Sequence, residues 1–437
     1  MKKSVLCLML LLASFLVFGC SQKSAKKAIP EPDIKVMKKT ENIAMDIYLD
    51  GTYSMAGYVN YPSTTVYTNS IKEIERTVSS TWRNEDIKYI RFGDEFKKLS
   101  RDNFLKFDKI DFYDQKDTSL QKVVDAMDGN KINVIVTDLF QTDQDIESLM
   151  SSLKKKSFSD HEKALAIVGL KSQFKGRIYD IGKNKLNFDY ETSDKGSYRP
   201  FYLLIVGNED DVRSFVLQYQ KNVKDEIKAV IFAKNLGVNN VLMQDSNTKT
   251  SADSKIKEAV MAKINTVVKN SKVMQFRLKL DEKVSRVNLK VKTDALIGEL
   301  PDQYRLVIDS LQKWQDNTFQ NVEAKEFLKA EVKDFTKENE KGNLAMTLRV
   351  NPLGINKREG QYKAELALVP SKEDYLKSIA VFDDWNFYDS DVTLGNIKGF
   401  GNKTLNISVF TKMIGNLNYE INKPGFYNLP FYLDAKK

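Results

Sequence analysis

Hydrophobic and polar positions alternate in blocks through the first half of the chain. The run Ile43-Ala44-Met45-Asp46-Ile47-Tyr48-Leu49 has the two-residue period of a strand, and residues 87–92 repeat it. Residues 131–140, 164–170 and 201–207 are further apolar runs; the first and last are near-continuous, the pattern of strands covered on both faces. Between the strands the period lengthens. Ile71, Ile74 and Val78 share one face of a helix predicted over residues 66–82, and Leu120, Val123 and Val124 one over 119–127. Further helices are predicted over 144–156 and 209–223, the latter with Asp210 and Asp211 at the positive end of its dipole. Residues 94–112 predict short edge structure carrying Phe96, Leu99 and Phe104. The polar stretch 172–197, with Tyr179, Phe188 and Tyr190 scattered through it, is longer than an ordinary connection and predicts a hairpin insertion. Strand and helix in alternation predict an α/β, doubly wound domain over residues 42–224, mostly parallel with right-handed crossovers.

The second half changes character. Strand-like alternation fills residues 273–280, 284–291, 344–350 and 362–368, separated by turns such as Asn351-Pro352 and Pro424-Gly425. Helical periods occur only over 254–267 and 405–417. Residues 225–437 therefore read as one or two mainly antiparallel β modules, with a divide near 301–314. Trp385, Phe387 and Tyr388 read as core aromatics more readily than as a sugar platform. Asp383, Asp384, Asp389 and Asp391 lack the spacing of a calcium hand.

The amino end stands apart. Met1-Lys2-Lys3, an apolar stretch over 5–18 and then Gly19-Cys20 resemble a bacterial lipoprotein signal. That resemblance implies removal of residues 1–19, acylation (palmitate among the chains) at Cys20, and a mature protein anchored by lipid on the extracytoplasmic face of the cell membrane. Residues 20–41, Lys-rich and holding Pro30 and Pro32, read as a flexible tether. With Cys7 in the signal and Cys20 acylated, no thiol remains for a disulfide, a zinc site or a nucleophile. The single His, His161, sits in the polar run Ser159-Asp160-His161-Glu162 and reads as a loop residue. The formal charge of +9 comes from Lys dispersed among Asp and Glu, which argues against a nucleic-acid surface.

Candidate chemistry gathers where the first strand ends, at Asp50-Gly51-Thr52-Tyr53-Ser54-Met55. One carboxylate and two hydroxyls at the carboxyl edge of an α/β sheet make a partial oxygen shell for a hard divalent cation. Thr118 precedes a predicted helix, and Asp138 ends the strand Asn133-Val134-Ile135-Val136-Thr137-Asp138. Taken in order, Asp50-x-Thr52-x-Ser54, Thr118 and Asp138 resemble the metal-ion-dependent adhesion site of von Willebrand factor A domains. Thr52 stands where the pattern has its first Ser. The Met after the motif and Phe92-Gly93-Asp94 also resemble that family.

The resemblance implies a von Willebrand factor A-like domain holding Mg2+ or Mn2+, with Asp50, Ser54 and Thr118 as direct ligands and Thr52 and Asp138 completing the shell or acting through water. A protein partner would fill the open position with an exposed Asp or Glu, and Tyr53 and Tyr58 would rim the site. A phosphoester hydrolase using Thr52 as nucleophile is the alternative, although the carboxylates and His such sites gather are missing and no Gly-x-x-x-x-Gly-Lys-Ser/Thr string occurs. An envelope protein whose A domain is inert is the other.

Overall fold

The computed structural model describes residues 39–139, 143–158, 162–181, 185–233 and 360–422, with strand segments between 240 and 350 and over 428–436. The signal segment, Cys20, the tether up to residue 38, Phe140 and His161 lie outside the described residues. Among the described residues no helix is long and apolar enough to cross a membrane.

A mixed seven-stranded sheet organises the α/β part. Its strands are β1 (Asn42–Asp50), β2 (Asn84–Phe92), β3 (Lys97–Leu99), β4 (Ile132–Thr137), β5 (Lys163–Ser172), β8 (Arg199–Asn208) and β9 (Ile227–Phe232), ordered β3-β2-β1-β4-β8-β5-β9. β1 runs parallel to β2 and β4, from Asn42 opposite Asn84 to Asp50 opposite Phe92. The rest departs from the mostly parallel expectation. β8 lies between β4 and β5 and is antiparallel to both, and β9 is antiparallel to β5. The reason lies in the connection. A parallel return needs a crossover long enough to pass over the sheet, usually a helix. Residues 172–197 instead form the antiparallel hairpin β6 (Lys175–Ile181) and β7 (Leu186–Glu191), so the chain doubles back beside β5, with Ser172 opposite Arg199.

Both faces of the sheet are covered. On one face Met45, Ile47, Leu49, Val134 and Val136 meet the helices Val66–Thr81 and Glu209–Asn222, through Ile71, Ile74, Val78, Val212 and Phe215. The first of these helices opens with Thr65 as a reciprocal cap. On the other face Tyr48, Ile135, Leu165, Ile167 and Leu204 meet Leu120–Ala126, Asp143–Ser157 and Ile407–Asn422.

The last of those helices comes from the second half of the chain. Tyr375, Ile379, Phe382, Trp385, Ile407, Phe410 and Ile414 belong to the same core as the sheet, and β9 is its edge strand beyond residue 224. Gly169 makes room for this packing: a Cβ there would stand 2.5 Å from Phe382 and 2.9 Å from Trp385. Trp385 and Phe387 are buried, as expected of core aromatics, whereas Tyr388 is 41% exposed and does not join them.

The remaining strands form mainly antiparallel sheets, one of Asn240–Leu242, Ser285–Lys292, Asn343–Val350 and Leu328–Lys329, another of Met274–Lys279, Asn428–Lys436, Gly360–Pro370, Tyr304–Gln315 and Thr318–Asn321. Tyr304–Gln315 is a single strand paired along Gly360–Pro370, with a register shift between Ile308 and Ser310, where a divide was expected. The helix expected over 254–267 is not seen at its described residues, because Lys257–Glu258 and Val267–Val268 are strands.

Candidate metal centre

Asp50 closes β1 between its two parallel neighbours, at the edge where βα connections leave the sheet. The chain turns sharply there. A Cβ on Gly51 would come within 2.7 Å of the Arg91 side chain, so the turn hugs β2 only because the residue is Gly. Thr52 is extended and starts the one-turn helix Tyr53–Ala56. Its N–H and Oγ1 both donate to Asp50 Oδ1, at 3.0 and 2.7 Å. The Thr52 and Ser54 hydroxyls lie 3.1 Å apart.

A second segment is laid beside this turn. The N–H of Gln115 donates to the Gly51 carbonyl at 3.1 Å, and the N–H of Tyr53 to the Gln115 carbonyl at 2.9 Å. Asp94 fastens the next two residues by accepting the N–H groups of Lys116 and Asp117, each at 3.0 Å. These bonds hold the Asp94 carboxyl below its usual range. Thr118 is thereby carried in, with Oγ1 3.3 Å from both Asp50 Oδ2 and Thr52 Oγ1.

β4 supplies the third wall. Thr137 Oγ1 donates to Asp50 Oδ2 at 2.9 Å. Asp138 is buried beside it, and its Oδ2 lies 3.5 Å from Nη2 of Arg199, the first residue of β8. Leu139 then takes a φ of 51°, in the left-handed region that bulky residues avoid, while its N–H reaches back to Thr137 Oγ1 at 3.3 Å. Strained backbone thus adjoins the strand end that carries both side chains.

Burial sets the electrostatics. Asp50 is 0% exposed, and its carboxyl is pushed up to about 7, first by loss of hydration and next by the Asp138 carboxylate; hydrogen bonds from Thr52 and Thr137 pull the other way. A carboxylate so placed gains from any cation that approaches it. Ser54 and Thr118 are half-buried, so the oxygen cluster meets solvent on their side.

The predicted residues fare unequally. Asp50, Thr52, Ser54 and Thr118 come together; Asp138 reaches the same edge and couples to Asp50 by charge, while pairing with Arg199. Tyr53 is 45% exposed beside the cluster. Tyr58 does not rim it. The ring is fully buried, stacked on Tyr67 at 5.0 Å and edge-on to Phe174 at 5.0 Å, with its hydroxyl donating to the Pro200 carbonyl. After Gly57 the chain dives inward, because a residue without a Cβ lets Phe174 fill the space beside it. Thr137 and Arg199 are the site residues that sequence reasoning missed. Thr137 carried a signal, standing beside Asp138 on a strand expected to end at the site; Arg199 carried none, being distant in sequence and falling between the predicted insertion and the next strand.

The donor set suits a small hard cation. Neighbouring ligands of an octahedral Mg2+ stand about 3 Å apart, given metal–oxygen distances of about 2.1 Å. The oxygen separations of 2.7 to 3.5 Å among Asp50, Thr52, Ser54 and Thr118 already approximate that edge. Among the described residues no group of three or more His, Cys, Asp or Glu side chains converges. No protein-family model, no curated protein and no solved structure matches the chain.

Proposed function

We propose that this chain is a lipid-anchored extracytoplasmic protein whose α/β part, similar to a von Willebrand factor A domain, grips a protein partner through Mg2+ or Mn2+. The observation that carries the reading is the convergence of Asp50, Thr52, Ser54 and Thr118 oxygens from two separated segments on one buried carboxylate, at the carboxyl edge of an α/β sheet. Asp50, Ser54 and Thr118 would hold the ion, with Thr52 and Asp138 supporting it. When bound, the ion supplies positive charge to an Asp or Glu of the partner. The chain's own residues do the rest: Asp94 holds the Thr118 segment in place, and Thr137 orients Asp50. Exposed Tyr53 offers the partner an aromatic contact. The lipoprotein-like Cys20 would supply the anchor, since two or more acyl chains hold a protein at a bilayer where one alone does not.

Calorimetric titration of the purified chain with MgCl2 and MnCl2 tests the cation. Saturable binding that vanishes in Asp50→Ala, with the circular dichroism spectrum unchanged, is the expected result. Absence of binding by the wild-type chain overturns the proposal.

A further inference from the structure

Arg199 is a charge kept almost wholly from water, its side chain 4% exposed. The guanidinium lies over the Phe174 ring at 5.4 Å, and Nη1 donates to the Gly401 carbonyl at 3.2 Å. Nη2 faces Asp138 Oδ2 at 3.5 Å, and among the described residues Nε has no hydrogen-bond partner. A buried cation persists only where something offsets its lost hydration. Asp138 is that offset, at a separation longer than a well-formed charged hydrogen bond, so the two are joined by charge rather than by a tight fork.

The pairing alters the charge seen by an ion beside Asp50. Two carboxylates approach that corner, and Arg199 cancels one of them. A divalent cation seated there leaves a surplus of one positive charge beside a fully buried carboxylate, where screening is weaker than in open solvent. We infer that Arg199 is a positioning residue that holds Asp138 by charge and sets the cation affinity of the site, weakening it for the bare ion and leaving the surplus that an anionic partner group neutralises. This rests on the cation reading above. Arg199 also ties Asp138 to the Gly401 carbonyl, so the C-terminal part of the chain helps to fix the charge balance.

Calorimetric titration with MgCl2 at pH 8 on the full chain separates the possibilities. Arg199→Gln keeps a donor for Gly401 but no charge, Arg199→Met is a second neutral variant should the first fail to fold, and Arg199→Lys retains charge without the fork. The neutral variants are expected to bind Mg2+ about tenfold more tightly than wild type, as removal of one opposing charge at a partly buried site allows. Arg199→Lys is expected to stay within about threefold of wild type. A purely structural role gives the opposite sign, because loss of packing on Phe174 would loosen the site and weaken binding. Neutral variants that bind no more tightly than a wild-type chain that does bind overturn this inference and spare the cation reading. A wild-type chain that binds neither Mg2+ nor Mn2+ overturns both.

Discussion

Replacing Asp50 with Asn removes one buried negative charge at nearly constant size, with the Thr118 and Thr137 hydroxyls turning to accept from the new amide where they donated to Oδ2. In the folded chain this carboxyl titrates at about 7 instead of its ordinary 3.8, mainly because it is buried. Its proton is therefore held more tightly when folded than when unfolded. The stability this confers is fully present below about pH 4 and is lost as pH rises to about 7. At 1.36 kcal/mol for each pH unit between the two values, ionised Asp50 costs the apo protein several kcal/mol at pH 8 and roughly a third as much at pH 5. Urea unfolding, followed by the fluorescence of buried Trp82 and Trp385, measures the difference. Asp50→Asn is expected to be more stable than wild type without metal, by a margin that widens from pH 5 to pH 8. Magnesium at a hundred times its dissociation constant should return about 2.7 kcal/mol to wild type and nothing to the variant. A margin that stays flat with pH, or equal stabilisation of both proteins by magnesium, would refute the reasoning.

Asp94→Ala frees the N–H groups of Lys116 and Asp117, so amide exchange over 115–118 should quicken and magnesium affinity fall severalfold, with Asp50 itself untouched. Gly57→Ala puts a Cβ 2.3 Å from the Phe174 ring and should cost about 1–3 kcal/mol by overpacking, read in the same urea experiment. Trp385→Ala empties a buried site between Phe382 and Tyr202, with ring centroids at 5.7 and 6.4 Å, and should destabilise the α/β core by about 3–5 kcal/mol, read by thermal melting. Cys20→Ala should release the protein from membranes and abolish labelling by a clickable palmitate.

Legibility tracked the range of the interactions. β1, β4 and the helix Val66–Thr81 were readable to within a residue or two, because each is specified by its own apolar period. Strand direction was not. The run through β8 is apolar at nearly every position, which reports burial on both faces and says nothing about which way the strand points. The absence of a helical period between β5 and β8 held the information. At the site, Asp50, Thr52 and Ser54 are local in sequence, and Thr118 was placed by its position before a helix. Tyr58 misled because its hydroxyl finds a partner, the Pro200 carbonyl, that only the folded chain reveals. Arg199 and the C-terminal share of the core were invisible for the same reason, since the contacts that define them join residues far apart in the chain.

That distant share governs the order in which the molecule can become whole. β5 and β8 are made early, but the helix Ile407–Asn422 that roofs one of their faces is made only after most of the β-rich stretch, with the strand Asn428–Lys436 still to follow. Until it arrives, Leu165, Ile167 and Tyr202 lack part of their cover, and an apolar surface left open in this way invites aggregation. Truncation before residue 407 should therefore yield an insoluble product rather than a smaller working domain, and a protease cutting between the strands of the β-rich stretch should leave two fragments that stay clasped together.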